Sequence, residues 1–194
     1  NGVDLDRFRP VDASAFRERH GLDDDRPLVG YTGRHGHEKR LETAVEAAAD
    51  LDVTLVLGGD GPARDALEAL AAERDVDARF LGFLPRASLP AFYTALDAFV
   101  FPSPVETQGI VALEAMACGT PVVAAAAGAL VDTVEHGVTG IHFPPGDVAG
   151  CRAAVREALE RRDDLRAACL ERREATSVSR SVDRLASVYA SLGG

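Results

Sequence analysis

Apolar runs rich in Val, Leu and Phe alternate along this chain with longer segments in which apolar residues return at helical spacing. The runs predict strands over 27–32, 53–57, 79–81, 98–101, 121–124 and 140–143. The segments between them predict helices over 39–49, 63–73, 88–96, 109–117 and 130–136. Such alternation implies an α/β fold, a doubly wound, Rossmann-like parallel sheet with helices on both faces. Ligands of such sheets bind at the carboxyl ends of the strands. The glycines and charges at Gly33, Gly58, Gly82 and Glu106 all follow predicted strands, so fold and site point to one edge of the sheet. No internal repeat is visible.

The stretch PSPVETQGIVALEAMACGTP, residues 102–121, carries the most chemistry. Thr107, Gln108 and Gly109 form a turn, and Ile110, Val111, Leu113 and Met116 then bury one helical face. Glu106 therefore lies before the helix and Glu114 within it. A helix start offers free N–H groups and the positive end of the dipole, which suits a phosphate near Gly109, Ile110 and Val111. Carboxylates on either side accept hydrogen bonds from hydroxyls, so a nucleotide sugar fits the arrangement.

This segment resembles the E-x7-E signature of the retaining glycosyltransferases of family 4, which have the two-domain GT-B fold. NGVD at 1–4, Gly33-Arg34 with Glu38-Lys39, GGDGP at 58–62, FLGFLP at 80–85 and GVTGIHFPPG at 137–146 follow the family's order and spacing. The resemblance covers nearly the whole chain up to about Leu159. It implies the C-terminal, donor-binding half of a GT-B fold, acting on a nucleotide-diphosphate sugar linked to UDP or GDP.

It also implies roles. Arg34 and Lys39 neutralise the diphosphate as it departs, against the plainer reading of two surface cations at a helix start. Glu106 accepts hydroxyls of the transferred sugar and Glu114 those of the ribose; a surface glutamate is the plain alternative for each. The amides of Gly109, Ile110 and Val111 cradle the distal phosphate. Gly33 lets the backbone approach the ligand, and backbone groups around Phe83 and Leu84 read the base. With Arg34, Lys39 and the helix start supplying positive potential, no metal or other cofactor is expected to be required.

The sequence departs from common family patterns in places. Gln108 stands in an ETQG variant, and Gly128, Ala129 and Asp132 replace a Gly-Gly pair followed by Glu, which leaves the transferred sugar open. Gly59-Asp60-Gly61 lacks the last glycine of G-x-G-x-x-G, which argues against a dinucleotide cofactor. His35 and His37, beside the phosphate loop, are expected to be exposed loop histidines.

Length and composition narrow the class. With 194 residues and 46% hydrophobic content, the chain can bury one good core. A net charge of −10 argues against a nucleic-acid surface. Lys39 is the single lysine; its setting among many Arg, Asp, Glu and Ala suits a halophilic archaeon or a GC-rich bacterium. Cys118, Cys151 and Cys169 lack close metal-ligand spacing and are expected as reduced thiols. No apolar run approaches the ~20 residues needed to span a bilayer.

The expected division is an inter-domain crossing segment at 1–25, the nucleotide-sugar-binding domain at 26–162 and a helical C-terminal segment at 163–194. In that segment Leu185, Val188, Tyr189 and Leu192 recur at helical spacing. The resembled family adds an N-terminal acceptor-binding domain. Without it, this fragment is expected to bind donor and turn over little. The predicted function is donor binding for a hexosyltransferase acting on an acceptor such as a lipid or glycan, with small-molecule acceptors left open. A non-catalytic nucleotide-sugar-binding module and a GT-B-fold epimerase or phosphorylase are the alternatives. The expected location is cytoplasmic, with membrane association of the intact enzyme left open.

Overall fold

The predicted alternation is realised in a computed structural model, which describes residues 2–22 and 25–178. The strands are β1 (Leu28–Thr32), β2 (Thr54–Gly58), β3 (Ala78–Gly82), β4 (Ala98–Phe101), β5 (Val122–Ala125) and β6 (Gly140–Phe143). All pair in parallel, in the order β3-β2-β1-β4-β5-β6. Every residue of β1, β2, β4 and β5 is buried, which is why these strands read as continuous apolar runs. The chain builds outward from β1 to β3, then crosses back to lay β4 on the other side. The switch point between β1 and β4 opens a crevice at their carboxyl ends.

The helices are α1 (Ser14–His20), α2 (Leu41–Ala48), α3 (Arg64–Glu73), α4 (Leu89–Ala95), α5 (Ile110–Ala117), α6 (Leu130–Thr133), α7 (Val148–Glu160) and α8 (Arg162–Arg172). Two of them, α1 and α7, lie outside the predicted helices, while α8 falls in the segment expected to be helical at 163–194. Helix α1 buries only Phe16, α8 buries Leu165 and Cys169, and the α7 stripe is Cys151, Ala154, Val155 and Ala158. Few or small apolar residues give little hydrophobic contrast. Helix α2 starts later than predicted because Arg40 is left-handed, φ 52°, after a 3-10 turn at His37–Lys39. Helix α6 stops early where Val134 becomes extended.

The first residues pack onto this frame, with Phe8, Phe16 and Leu22 buried. Val3 N–H donates to Thr176 O at 2.8 Å and Val178 N–H to Val3 O at 3.1 Å, so the two ends of the described chain meet. The helical spacing at Leu185 to Leu192 lies outside the described residues. All three cysteines are free and buried, and burial pushes each thiol up to about 12. No helix among the described residues is long and apolar enough to cross a membrane.

Candidate functional site

Two adjoining clefts open at the carboxyl ends of β1 and β4. One, of ≈ 380 Å³, is lined by Gly59, Phe83, Leu84, Leu89 and Tyr93; the other, of ≈ 220 Å³, by Lys39, Phe101, Glu106, Gln108 and Ile110. Thr32, Gly33, Arg34 and Val111 line both. Glycine is required where the loops cross: Gly59 has φ 104°, and a Cβ there would run into the Gly33 carbonyl oxygen. The two loops are tied by Gly33 N–H to Gly58 O at 3.1 Å and Gly59 N–H to Gly82 O at 2.6 Å.

Glu106 is the electrostatic centre of the second cleft. Its Oε2 lies 3.2 Å from Lys39 Nζ, with the two side chains 15% and 21% exposed. Its Oε1 accepts from the amides of Thr107 at 3.1 Å, Gln108 at 3.2 Å and Gly109 at 3.2 Å. Its backbone is braced from the alanine loop, where Ala129 N–H donates to Glu106 O at 2.9 Å. The unusual Gly128-Ala129 pair is therefore in contact with Glu106.

These contacts refine the expected phosphate cradle. The Gly109 amide donates to Glu106, which leaves Ile110 and Val111 as the α5 amides with no intrahelical acceptor. Gly109 itself is left-handed, φ 64°, and turns the chain into the helix.

Burial works to raise the Glu106 pKa, but the Gln108 and Gly109 amides and the Lys39 ammonium outweigh it and hold the carboxyl below its ordinary range. A carboxylate with a depressed folded pKa contributes stability above its unfolded value, and loses it as the pH falls through the folded one. The melting-temperature advantage of the wild type over Glu106→Gln is thus expected to be full at pH 6 to 7 and to shrink below the ordinary value of 4.5. Melting curves between pH 3 and 7 check this; a pH-independent difference would remove the ion pair as its cause.

The other cation is less enclosed. Arg34 pairs with Glu38 at 2.7 Å, with side chains 63% and 42% exposed. Both cations thus precede α2 rather than opening it, and each already faces a carboxylate.

Glu114 sits within α5, 6% exposed, and its Oε2 accepts from the Tyr93 hydroxyl at 2.9 Å. Burial raises its pKa, opposed by the Tyr93 hydrogen bond and by Arg86 and Arg7. Glu114 reaches the cleft region through Tyr93, which lines it. Tyr93 had no signal of its own in the sequence: beside Phe92 on a helix with an apolar face, it reads as a core aromatic. Phe83 stands out at the rim, 82% exposed, while Leu84 is buried beneath it.

One expectation is overturned. His35 is fully buried rather than exposed, because its loop folds under the glycine turn: His35 N–H donates to Asp60 O at 2.8 Å and Ala63 N–H to His35 O at 2.9 Å. Burial keeps its pKa below the ordinary value. His37 is exposed as expected. Among the described residues, no group of three or more His, Cys, Asp or Glu is placed to hold a metal ion.

Comparison with known proteins identifies the family and the fold. The family model described as "Glycosyl transferases group 1" matches residues 12–175. The 2-deoxystreptamine glucosyltransferase of Streptomyces kanamyceticus is 39% identical over 170 residues, covering 82% of this chain and 44% of that protein. The chain thus spans less than half the length of that curated relative. HepE of Anabaena, solved in complex with UDP, superposes with a TM-score of 0.90 at 26% identity, covering 98% of this chain and 56% of that one. It has also been solved with UDP-glucose. The C-terminal domain of a group 1 glycosyl transferase from Francisella tularensis superposes with a TM-score of 0.74 at 26% identity, covering 88% of this chain and 95% of that one.

Proposed function

Since the chain belongs to the group 1 glycosyl transferases, we propose that it is the C-terminal, donor-binding half of a retaining family 4 enzyme that transfers a hexose from a UDP- or GDP-linked sugar. The observation that carries this reading is the convergence of Lys39, Arg34, the first turn of α5 and Glu106 on one switch-point crevice, with Glu114 behind its other wall. The UDP complexes of HepE favour uracil as the base.

In this reading the diphosphate lies against the Ile110 and Val111 amides, with Arg34 and Lys39 as its counter-charges. Lys39 exchanges Glu106 for a phosphate oxygen, and Glu106 turns to the sugar hydroxyls. As the bond from the anomeric carbon to the diphosphate breaks, its electron pair goes to the phosphate oxygen, where these cations and amides stabilise it. The acceptor hydroxyl bonds to the same carbon, on the face the diphosphate leaves, and its proton passes to the departing phosphate oxygen. The cationic set offers the stabilisation that a metal supplies elsewhere, so the reading includes no metal requirement. An N-terminal domain presents the acceptor, a lipid, glycan or small molecule, from the cytoplasmic side. This chain alone binds donor and turns over little.

A thermal-shift titration in high salt with UDP, GDP and their glucose and mannose conjugates tests the reading. Ligand at ~100 times its Kd stabilises by ~2.7 kcal/mol, about 5–10 °C for a domain of this size. One nucleotide is expected to give that shift and lose it in Glu114→Ala. No shift with any of them would overturn donor binding by this chain.

A further inference from the structure

The hydrogen bond between Tyr93 and Glu114 joins two buried groups from different helices at the wall of the first cleft. Tyr93, on α4, is fully buried and held on three sides by aromatic rings: Phe8 at 6.1 Å, Phe92 at 5.6 Å and Phe99 at 5.6 Å between centroids. Its carbonyl accepts from Thr120 Oγ1 at 2.6 Å, which ties its backbone to the turn that follows α5. The hydroxyl has one donor and spends it on Glu114 Oε2. A tyrosine so fixed cannot follow the carboxylate if it turns, so the bond sets the rotamer of Glu114.

The second oxygen of Glu114 behaves differently. No hydrogen bond within the described residues reaches Oε1, and it is not among the fully buried side-chain atoms that lack partners. It therefore keeps some access, although the residue as a whole is only 6% exposed. One oxygen is anchored and the other remains free to accept from a ligand.

We propose that Tyr93 is a positioning residue: it locks one oxygen of Glu114 so that the other is presented to the ribose hydroxyls of the donor nucleotide. The proposal rests on the reading of Glu114 given above as the ribose acceptor. A carboxylate without that anchor would rotate within its pocket, and part of its hydrogen-bonding capacity would be lost to the ligand. The anchor also favours the charged form. Burial raises the Glu114 pKa, and the Tyr93 hydroxyl, Arg86 and Arg7 oppose that rise, while Cys118, at the end of α5, is the other titratable group facing it. Removing the hydroxyl leaves burial less opposed, so Glu114 is neutralised at a higher pH.

The test is calorimetric binding of UDP and 2′,3′-dideoxy-UDP to the full chain, as wild type, Tyr93→Phe, Glu114→Gln and the double variant, at several pH values. Tyr93→Phe removes one oxygen from a packed ring, and its melting curve verifies that it is folded. The expected result is about tenfold weaker UDP binding in Tyr93→Phe, unchanged binding of the dideoxy nucleotide, and no further loss when Tyr93→Phe is added to Glu114→Gln. The fall in UDP affinity on acidification is expected to begin at higher pH in Tyr93→Phe. Equal weakening of both nucleotides would mean a merely structural tyrosine, and unchanged UDP binding would mean no role; either overturns the proposal while leaving Glu114 as the ribose acceptor. If wild type and Glu114→Gln discriminate the two nucleotides equally, the Glu114 reading itself fails, and the Tyr93 proposal with it.

Discussion

Lys39→Ala in the intact enzyme is expected to lower kcat by about 10²–10³-fold, the loss usual when one preorganised donor to a developing anion is removed. Lys39 is the single lysine of the chain. Its ammonium is 3.2 Å from Glu106 and 5.9 Å from the centre of the Phe101 ring, so it is held in the crevice from two sides. Arg34 is more exposed and paired outward with Glu38, which makes it a poor substitute. Because charge on the departing diphosphate grows as the bond breaks, the loss should fall mainly on kcat and less on the KM for donor. Steady-state kinetics at saturating acceptor check the split. Near-normal turnover would remove Lys39 from the mechanism.

Gly59→Ala is expected to destabilise the fold by at least ~2 kcal/mol and to abolish donor binding. The backbone at Gly59 has φ 104°, where a side chain is strained by ~1–3 kcal/mol. The added Cβ would also meet the backbone of Gly33, which has no flexible end to yield. Relief requires the Gly33 loop to move, and that loop borders both clefts. The melting temperature should fall by about 4–8 °C, and the nucleotide-induced shift should disappear. A variant with an unchanged melting curve and a normal UDP shift would show that the two loops are not coupled.

Much of this site was legible along the chain because it is built from local segments. Glu106 lies just before α5 and Glu114 within it, and Gly33, Arg34, Lys39, Glu106, Ile110 and Val111 line the crevice predicted at the strand ends. Local spacing decides which residue precedes a helix and which lies inside it. The engagement of the Gly109 amide was not legible for the opposite reason: the carboxylate three residues back reaches it, and a turn's side-chain hydrogen bonds depend on the exact path of the loop. The burial of His35 and the role of Tyr93 come from contacts with residues about 20 or more positions away.

The six strands, their alternation with helices and the two glutamates around a helix start follow from the sequence alone, since hydrophobic period and turn residues act over a few positions. Which amides are free, which oxygen of each glutamate is already engaged, and what holds Lys39 were decided by the tertiary structure. These depend on where β1 and β4 part, on how closely the Gly33 and Gly59 loops cross, and on the packing of α4 against α5. Such contacts join residues distant along the chain, and only the folded sheet brings them within hydrogen-bonding distance.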